Sequence, residues 1–307
     1  MTLNQKALKA LEKNNYKKAA LLFHKAVQEC RDVQSLNNLA WMIWTDDEEA
    51  DDALSLLEEA VAFEPVSHFP YSLMGEIYTK TEQWQRAQDI LVKALAIKAS
   101  TESYNNLAVA LYHLGNAEKA ADYFLLAAEE EKSGYILYSH AKCLIELGRT
   151  DEALQVLDTF SEEDGDFVGT VDLGDLYVEA GDYGQAVRWF AKGWDDYAKD
   201  PNWIERYVYA FFKMERFADG QGIINQALDL IKQESNELRD PNDYETWSEA
   251  EKQEELEKLL LHQQAYEQLW SRLLKGYVPA MDFEPGYLPS CYLFGCERHH
   301  HPEYKEL

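Results

Sequence analysis

The residues best suited to chemistry lie near the end of the chain. Cys291 and Cys296 are followed closely by His299, His300 and His301. Thiolates and imidazoles are soft donors, so the set could hold zinc or a similar cation. A structural zinc site usually needs a tight Cys-x2-Cys step or a matching second pair, and Cys291-x4-Cys296 offers neither. The segment is therefore read as packed tail, with no metal and no cofactor assigned. Cys30 and Cys143 fall inside helical segments and read as core; four cysteines in 307 residues suggest no disulfide framework. There is no glycine-rich phosphate loop, no Ser/His/Asp motif and no His-Glu-x-x-His. Acidic pairs such as Glu162–Glu163 lie in apparent turns, where solvated charge explains them. No catalytic residue is assigned, and the chain is not read as an enzyme.

The elements that must position this tail are periodic. Ala19, Ala53, Ala87, Ala120, Ala153, Ala186 and Gly220 recur at separations of 34, 34, 33, 33, 33 and 34 residues. Each is followed four residues later by Phe23, Leu57, Leu91, Phe124, Leu157, Phe190 or Ile224. An upstream series of small residues runs Ala7, Ala40, Gly75, Ala108, Ala141, Gly174 and Ala210. Apolar residues around both series recur at i, i+3, i+4 and i+7, which is helix periodicity. Gly115, Gly148 and Gly181 sit between the segments, where a helix ends and glycine can take positive φ. The unit is helix, turn, helix, with small residues where two backbones cross and a bulky residue filling the gap.

These residues resemble the tetratricopeptide repeat (TPR) family. Its pattern reads here as Tyr71, Met74, Gly75, Tyr78, Ala87, Leu91, Ala94; again as Tyr104, Leu107, Ala108, Leu111, Ala120, Phe124, Ala127; and again as Thr170, Leu173, Gly174, Tyr177, Ala186, Phe190, Gly193. The resemblance covers roughly residues 1–232 and implies an all-α TPR superhelical solenoid of about seven helix-turn-helix repeats. It also implies a concave face lined by the first helix of each repeat. Relative to the upstream small residue, positions −3, +1 and +4 form a stripe turned away from the second helix. With adjacent positions, this stripe gives the candidate protein-binding residues Asn37, Asn38, Trp41, Trp44, Glu76, Asn105, Asn106, Tyr112, Tyr138, Asp175, Glu179 and Tyr207. The face is aromatic and acidic. Trp41 and Trp44 could equally pack between repeats.

The tetrapeptide Asn-Asn-Leu-Ala occurs at 37–40 and at 105–108. An asparagine amide both donates and accepts, so it can pair with the backbone of an extended peptide. The O-GlcNAc transferase and kinesin light-chain families are similar in using groove asparagines this way. The two pairs here lie two repeats apart, so no continuous ladder is expected. Another TPR subset clamps a C-terminal carboxylate with Lys and Arg; the groove positions Trp41, Glu76 and Val109 carry no such basic cluster.

The formal net charge is −27 and mean hydropathy is −0.47. Such a field repels nucleic acid and anionic membrane and favours a basic protein or peptide, although an acidic surface also serves solubility alone. No apolar run is long enough to span a membrane, and the amphipathic start lacks a signal-peptide core, so a cytoplasmic location is expected.

Periodicity stops near Lys232. Residues 233–246 read as a polar linker and 247–276 as a helix capping the last repeat, opened by Ser248-x-x-Glu251. Residues 277–307 form an irregular aromatic tail rich in proline. Two placements are open: over the C-terminal part of the concave face near Tyr207 and Phe211, or against the capping helix around Leu269 and Trp270. The second is preferred because short connections favour neighbours. The function expected is protein binding, as adaptor, scaffold or chaperone-like holder. Alternatives are a neutralising partner of a basic toxin or secreted protein, and a metal-dependent regulator or enzyme using the Cys/His tail.

Overall fold

The computed structural model describes residues 1–46, 49–239, 248–281 and 283–305. Part of the expected linker (240–246), the first residue of the capping segment (247), Asp282 and residues 306–307 lie outside the described residues. Fifteen α-helices and no strand occur among the described residues, and the fold is an all-α helical-repeat solenoid. No described helix is long and apolar enough to cross a membrane.

The chain divides into two units, Met1–Leu147 with Pro285–Leu307, and Gly148–Glu284. The first holds α1 (Leu3–Leu11), α2 (Tyr16–Glu29), α3 (Val33–Asp46), α4 (Ala50–Ala62), α5 (Phe69–Lys80), α6 (Trp84–Ile97), α7 (Thr101–His113), α8 (Ala117–Glu130) and α9 (Gly134–Glu146). The second holds α10 (Thr150–Leu157), α11 (Thr170–Glu179), α12 (Tyr183–Lys192), α13 (Pro201–Lys213), α14 (Phe217–Leu238) and α15 (Glu249–Leu274).

Within a repeat the two helices meet at the small residues. Ala40, Ala53, Ala87, Ala108, Ala120, Ala186 and Ala210 are all fully buried. At Gly75 even a methyl group would lie 2.3 Å from Leu91 Cδ2, and at Gly174 2.7 Å from two atoms of the Phe190 ring. The bulky residue therefore occupies the space that the missing side chain leaves. Four of the described turns share one device. A residue of positive φ ends the first helix, and the next N–H returns to a carbonyl five residues back: Asn116 to Leu111 (2.9 Å), Gln83 to Tyr78 (2.8 Å) and Asn15 to Ala10 (2.9 Å). Gly115 fills the positive-φ position in one of the four, but Asn14, Glu82 and Glu215 fill it in the others, which composition alone does not flag.

α14 continues to Leu238, past the linker start expected at 233. Ile231 is its last buried residue, and in the turns beyond it only Ser235 and Leu238 are half-buried. α15 opens with the capping box expected from sequence: Ser248 Oγ accepts from Glu251 N, and Glu251 accepts from Ser248 N. It packs on α13 and α14, with Leu269 fully buried and the Trp270 ring edge-on to Phe212 and Phe217.

Candidate functional site

The start of the tail lies where it was expected, with Tyr277 against Arg272 of α15 and donating to Glu205, and with Pro279 O accepting from Arg206 of α13. The rest, from 285 on, occupies a groove of the first unit that was not expected. Residues 285–305 belong to the first unit and run along α9, α7, α5, α3 and α1, against the chain order of those helices. The expectation that the tail stays beside its preceding helix holds for Tyr277; from residue 285 on, the first helices of the first unit supply a row of polar partners.

The contacts form a ladder to the tail backbone. Asn105 Nδ2 donates to Gly286 O (3.1 Å); Asn106 donates to Leu288 O (3.0 Å) and accepts from Leu288 N (2.7 Å). Asn37 Nδ2 donates to Tyr292 O (2.7 Å); Asn38 donates to Phe294 O (3.0 Å) and accepts from Phe294 N (2.9 Å). In each pair the first amide also donates to the second, at 3.2 Å between Asn105 and Asn106 and 3.4 Å between Asn37 and Asn38. The two Asn-Asn pairs thus read two backbone positions two residues apart in the same way.

The gap between the pairs is bridged. Glu76 Oε2 accepts from Ser290 N (2.9 Å), and the Trp41 indole donates to Ser290 O (3.1 Å). A physical reason sets the spacing of the pairs. From Gly286 to Tyr292, the tail advances six residues while the array advances from α7 to α3, two repeats. Six extended residues span about 20 Å, or about 10 Å per repeat, which is close to the packing distance of neighbouring helices. Three residues per repeat is an odd number, and a strand alternates its faces with period two. Only every second repeat therefore meets the same face, and α5, between them, carries Ser72 and Leu73 where the others carry the asparagines. The spacing that argued against a ladder is the spacing a ladder requires.

A second row was missed by sequence reasoning. Six residues before the small residue of α3, α5, α7 and α9 stand Gln34, Phe69, Glu102 and Tyr135. Gln34 accepts from Tyr304 N (2.9 Å), and Glu102 accepts from Ser290 Oγ (2.9 Å). The Tyr135 hydroxyl bonds Gly286 N, and the Phe69 ring lies 4.9 Å from Phe294 and 6.0 Å from Tyr292. Carrying the stripe one turn toward the helix start would have found all four.

The groove is dry. Asn37, Asn38, Asn105 and Asn106 are 0% exposed, and Tyr292, Leu293 and Phe294 are each 2% exposed. Burial pushes the Glu76 carboxyl up to about 7, against the opposing pull of its bonds from Trp44 and Ser290 and of Lys80; Glu102 adds to the rise. Burial holds His68 down at about 4, with Lys98 adding to the drop.

The remaining candidates have other surroundings. Trp44 is buried, donates to Glu76 Oε1 (2.8 Å) and lies beneath Lys80, so it supports the acceptor and is itself core. The half-buried Tyr112 donates to Glu146 (2.7 Å), and Tyr138 is buried in α9. In the second unit, Asp175 and Glu179 do not face an open groove as free anions. Arg206, 1% exposed, bonds Asp175 Oδ1 (2.6 Å), Asp175 O (2.8 Å), Glu179 (2.9 Å) and Pro279 O (3.0 Å). The cation that those carboxylates invited is supplied by the chain. Tyr207 is buried among Phe190, Trp194, Trp203 and Phe211, a core role that aromatic stripes commonly take.

The three soft donors of the tail also converge. Cys291, Cys296 and His299 place their ligand atoms within 4.8 Å of one another, while His301 turns Nδ1 to Leu293 O (3.1 Å).

Two family models match the chain, both described as the tetratricopeptide repeat: one over residues 73–136, the other over 135–159 and 168–192. No curated protein matches it. Among solved structures, YrrB, described as a TPR protein with an unusual peptide-binding site, is 23% identical, covering 56% of this chain and 91% of its own at a TM-score of 0.48. MamA is 18% identical, covering 57% of this chain and 96% of its own at a TM-score of 0.46.

Proposed function

We propose that this chain, a tetratricopeptide repeat protein, is a protein-interaction module that holds an extended peptide by its backbone in the groove of the first unit. Its own residues 285–305 are the resident occupant, and a partner segment competes with them. The observation that carries this reading is the pair of two-way amide contacts, Asn38 with Phe294 and Asn106 with Leu288. Contacts to backbone alone do not depend on the side chains bound, so they suit a partner of different sequence. Specificity then rests with Phe69, which receives aromatic groups, and with Glu102, which accepts from the Ser290 hydroxyl.

Asn37, Asn38, Trp41, Glu76, Asn105 and Asn106 are the contact residues of this proposal. Trp44 and Tyr112 act behind them. A basic partner remains part of the proposal for the exterior, where a net charge of −27 supports the capture of a cationic protein. The groove segment itself, 285–294, contains no Lys, Arg, Asp or Glu.

The test is a labelled peptide of residues 285–305 titrated into the whole chain and into a chain ending at Glu284. A tethered competitor acts at an effective concentration near millimolar. The shortened chain should therefore bind the peptide at least about ten-fold more tightly than the whole chain does. A shortened chain that stays helical and ignores the peptide would sink the proposal. So would a shortened chain that loses its helicity, since the tail would then be a permanent part of the core.

A further inference from the structure

We infer that Cys291, Cys296 and His299 form a binding site for zinc or a similarly soft divalent cation, which fastens the terminal bend of the tail. They are the one group of three such side chains that converge among the described residues. Their donor atoms lie within 4.8 Å of one another, with Cys296 Sγ and His299 Nδ1 3.3 Å apart. Tetrahedral zinc holds sulfur at about 2.3 Å and nitrogen at about 2.0 Å, which puts neighbouring donors about 3.5–4 Å apart. Small side-chain rotations therefore close the site.

The backbone is already fixed on both sides of each thiol. Cys291 lies between Ser290, held by Glu76 and Trp41, and Tyr292, held by Asn37. Cys296 donates its N–H to Leu293 O (3.4 Å) and accepts from His301 N (2.9 Å). Gly295, at φ +76°, turns the chain between them, and a methyl group there would sit 3.1 Å from Leu8 Cδ1. His299 follows on the next turn, which the His300 N bond to Glu297 O closes (3.2 Å). Both sulfurs also pack beside the core cluster that includes Leu8 and Leu293. A site whose ligands are ordered before binding loses little entropy when the ion arrives. Sequence spacing alone did not favour this reading, because the usual two-residue step is replaced here by a four-residue step that the bend folds back.

On binding, the two thiols give their protons to solvent and the imidazole binds through an unprotonated nitrogen. Two thiolates balance the charge of the ion, and one coordination position stays open for water or a partner's donor. Because the ligands bracket Tyr292 and Phe294, the ion ties its own occupancy to the hold of Asn37 and Asn38 on the tail.

The test uses the whole reduced chain, stripped with chelator and titrated with Zn2+ and with Co2+. One equivalent should bind, cobalt should give a thiolate charge-transfer band, and zinc should erase it. Cys291→Ser and Cys296→Ser should each remove the band, and His299→Gln should weaken zinc at least about ten-fold, since even outer partners of a metal site cost that much. His300→Gln should change nothing. In the unmodified chain, zinc should slow alkylation of Cys291 and Cys296 but not of the exposed Cys30. That second measurement needs no variant to fold. Equal uptake by the Cys291→Ser/Cys296→Ser chain, or no zinc effect on alkylation, overturns the inference.

Discussion

Asn38 and Glu76 hold neighbouring stretches of the same extended tail segment, but they respond differently to change. Asn38→Ala strips a donor and an acceptor from the buried Phe294 backbone. Each orphaned group costs about 1–3 kcal/mol, so the bound tail should loosen by that order or more. Hydrogen exchange at Phe294 should accelerate, and Asn106→Ala should do the same at Leu288. Unchanged protection at both would show that these amides do not hold the tail. Glu76 adds a pH dependence. Burial raises its carboxyl from the ordinary 4.5 to about 7 while the tail covers it. The docked state therefore holds a proton that the undocked state has released. The docking preference is present at acid pH and is lost as the pH rises through about 7. Lys80 and Glu102 flank the carboxyl, and His68, held at about 4, stays neutral across most of that window. His301, on the tail side, is also held below its usual value, by burial first. Tail-peptide affinity for the chain ending at Glu284 should be weaker at pH 8 than at pH 5.5, and Glu76→Gln should flatten the difference. A slope that survives Glu76→Gln belongs to another group.

Helix pairs depend on how closely their backbones approach, and two glycines report this with opposite signs. In α11, a methyl group at Gly174 meets the rigid Phe190 ring at 2.7 Å, so Gly174→Ala should destabilise by about 1–3 kcal/mol despite the better helix former. In α14, Gly222 has nothing within 4 Å of its would-be methyl group, so Gly222→Ala should stabilise by up to about 1 kcal/mol. Thermal unfolding of the two variants checks both signs. The same contrast shows what the sequence made legible. Small residues repeating every 33 or 34 positions report a packing constraint that every repeat must meet, so the helix pairs could be read directly. The asparagine pairs stood out instead as a tetrapeptide occurring twice, not as a constraint that every repeat meets. The placement of the tail from 285 on was not legible, because it depends on matching a two-residue strand period to a three-residue helix step across distant segments. Arg206 was missed because it serves one site once, and a single cation in a helix carries no periodic signal. Glu82 and Glu215 at positive φ were missed because the turn geometry imposes a conformation that their side chains do not prefer.

At the scale of the whole molecule, two kinds of attraction are separable. Its charge of −27 produces a long-range field that acts on any basic partner. The groove instead offers buried amides, an aromatic ring and two carboxylates already bonded to Ser290, and the segment lying in it, 285–294, has no charged side chain. Salt distinguishes them. The screening length shortens from about 10 Å at 0.1 M to about 3 Å at 1 M, which weakens exposed charge pairs and leaves buried contacts nearly untouched. Binding of the tail peptide to the chain ending at Glu284 should therefore change by no more than about two-fold across that range. A partner recruited by the acidic exterior should weaken by about ten-fold or more over the same range. A partner that displaces the tail yet ignores salt would be read by the groove alone. One that loses affinity with salt and leaves the tail in place would be held by the exterior, and the groove would then have no part in its recognition.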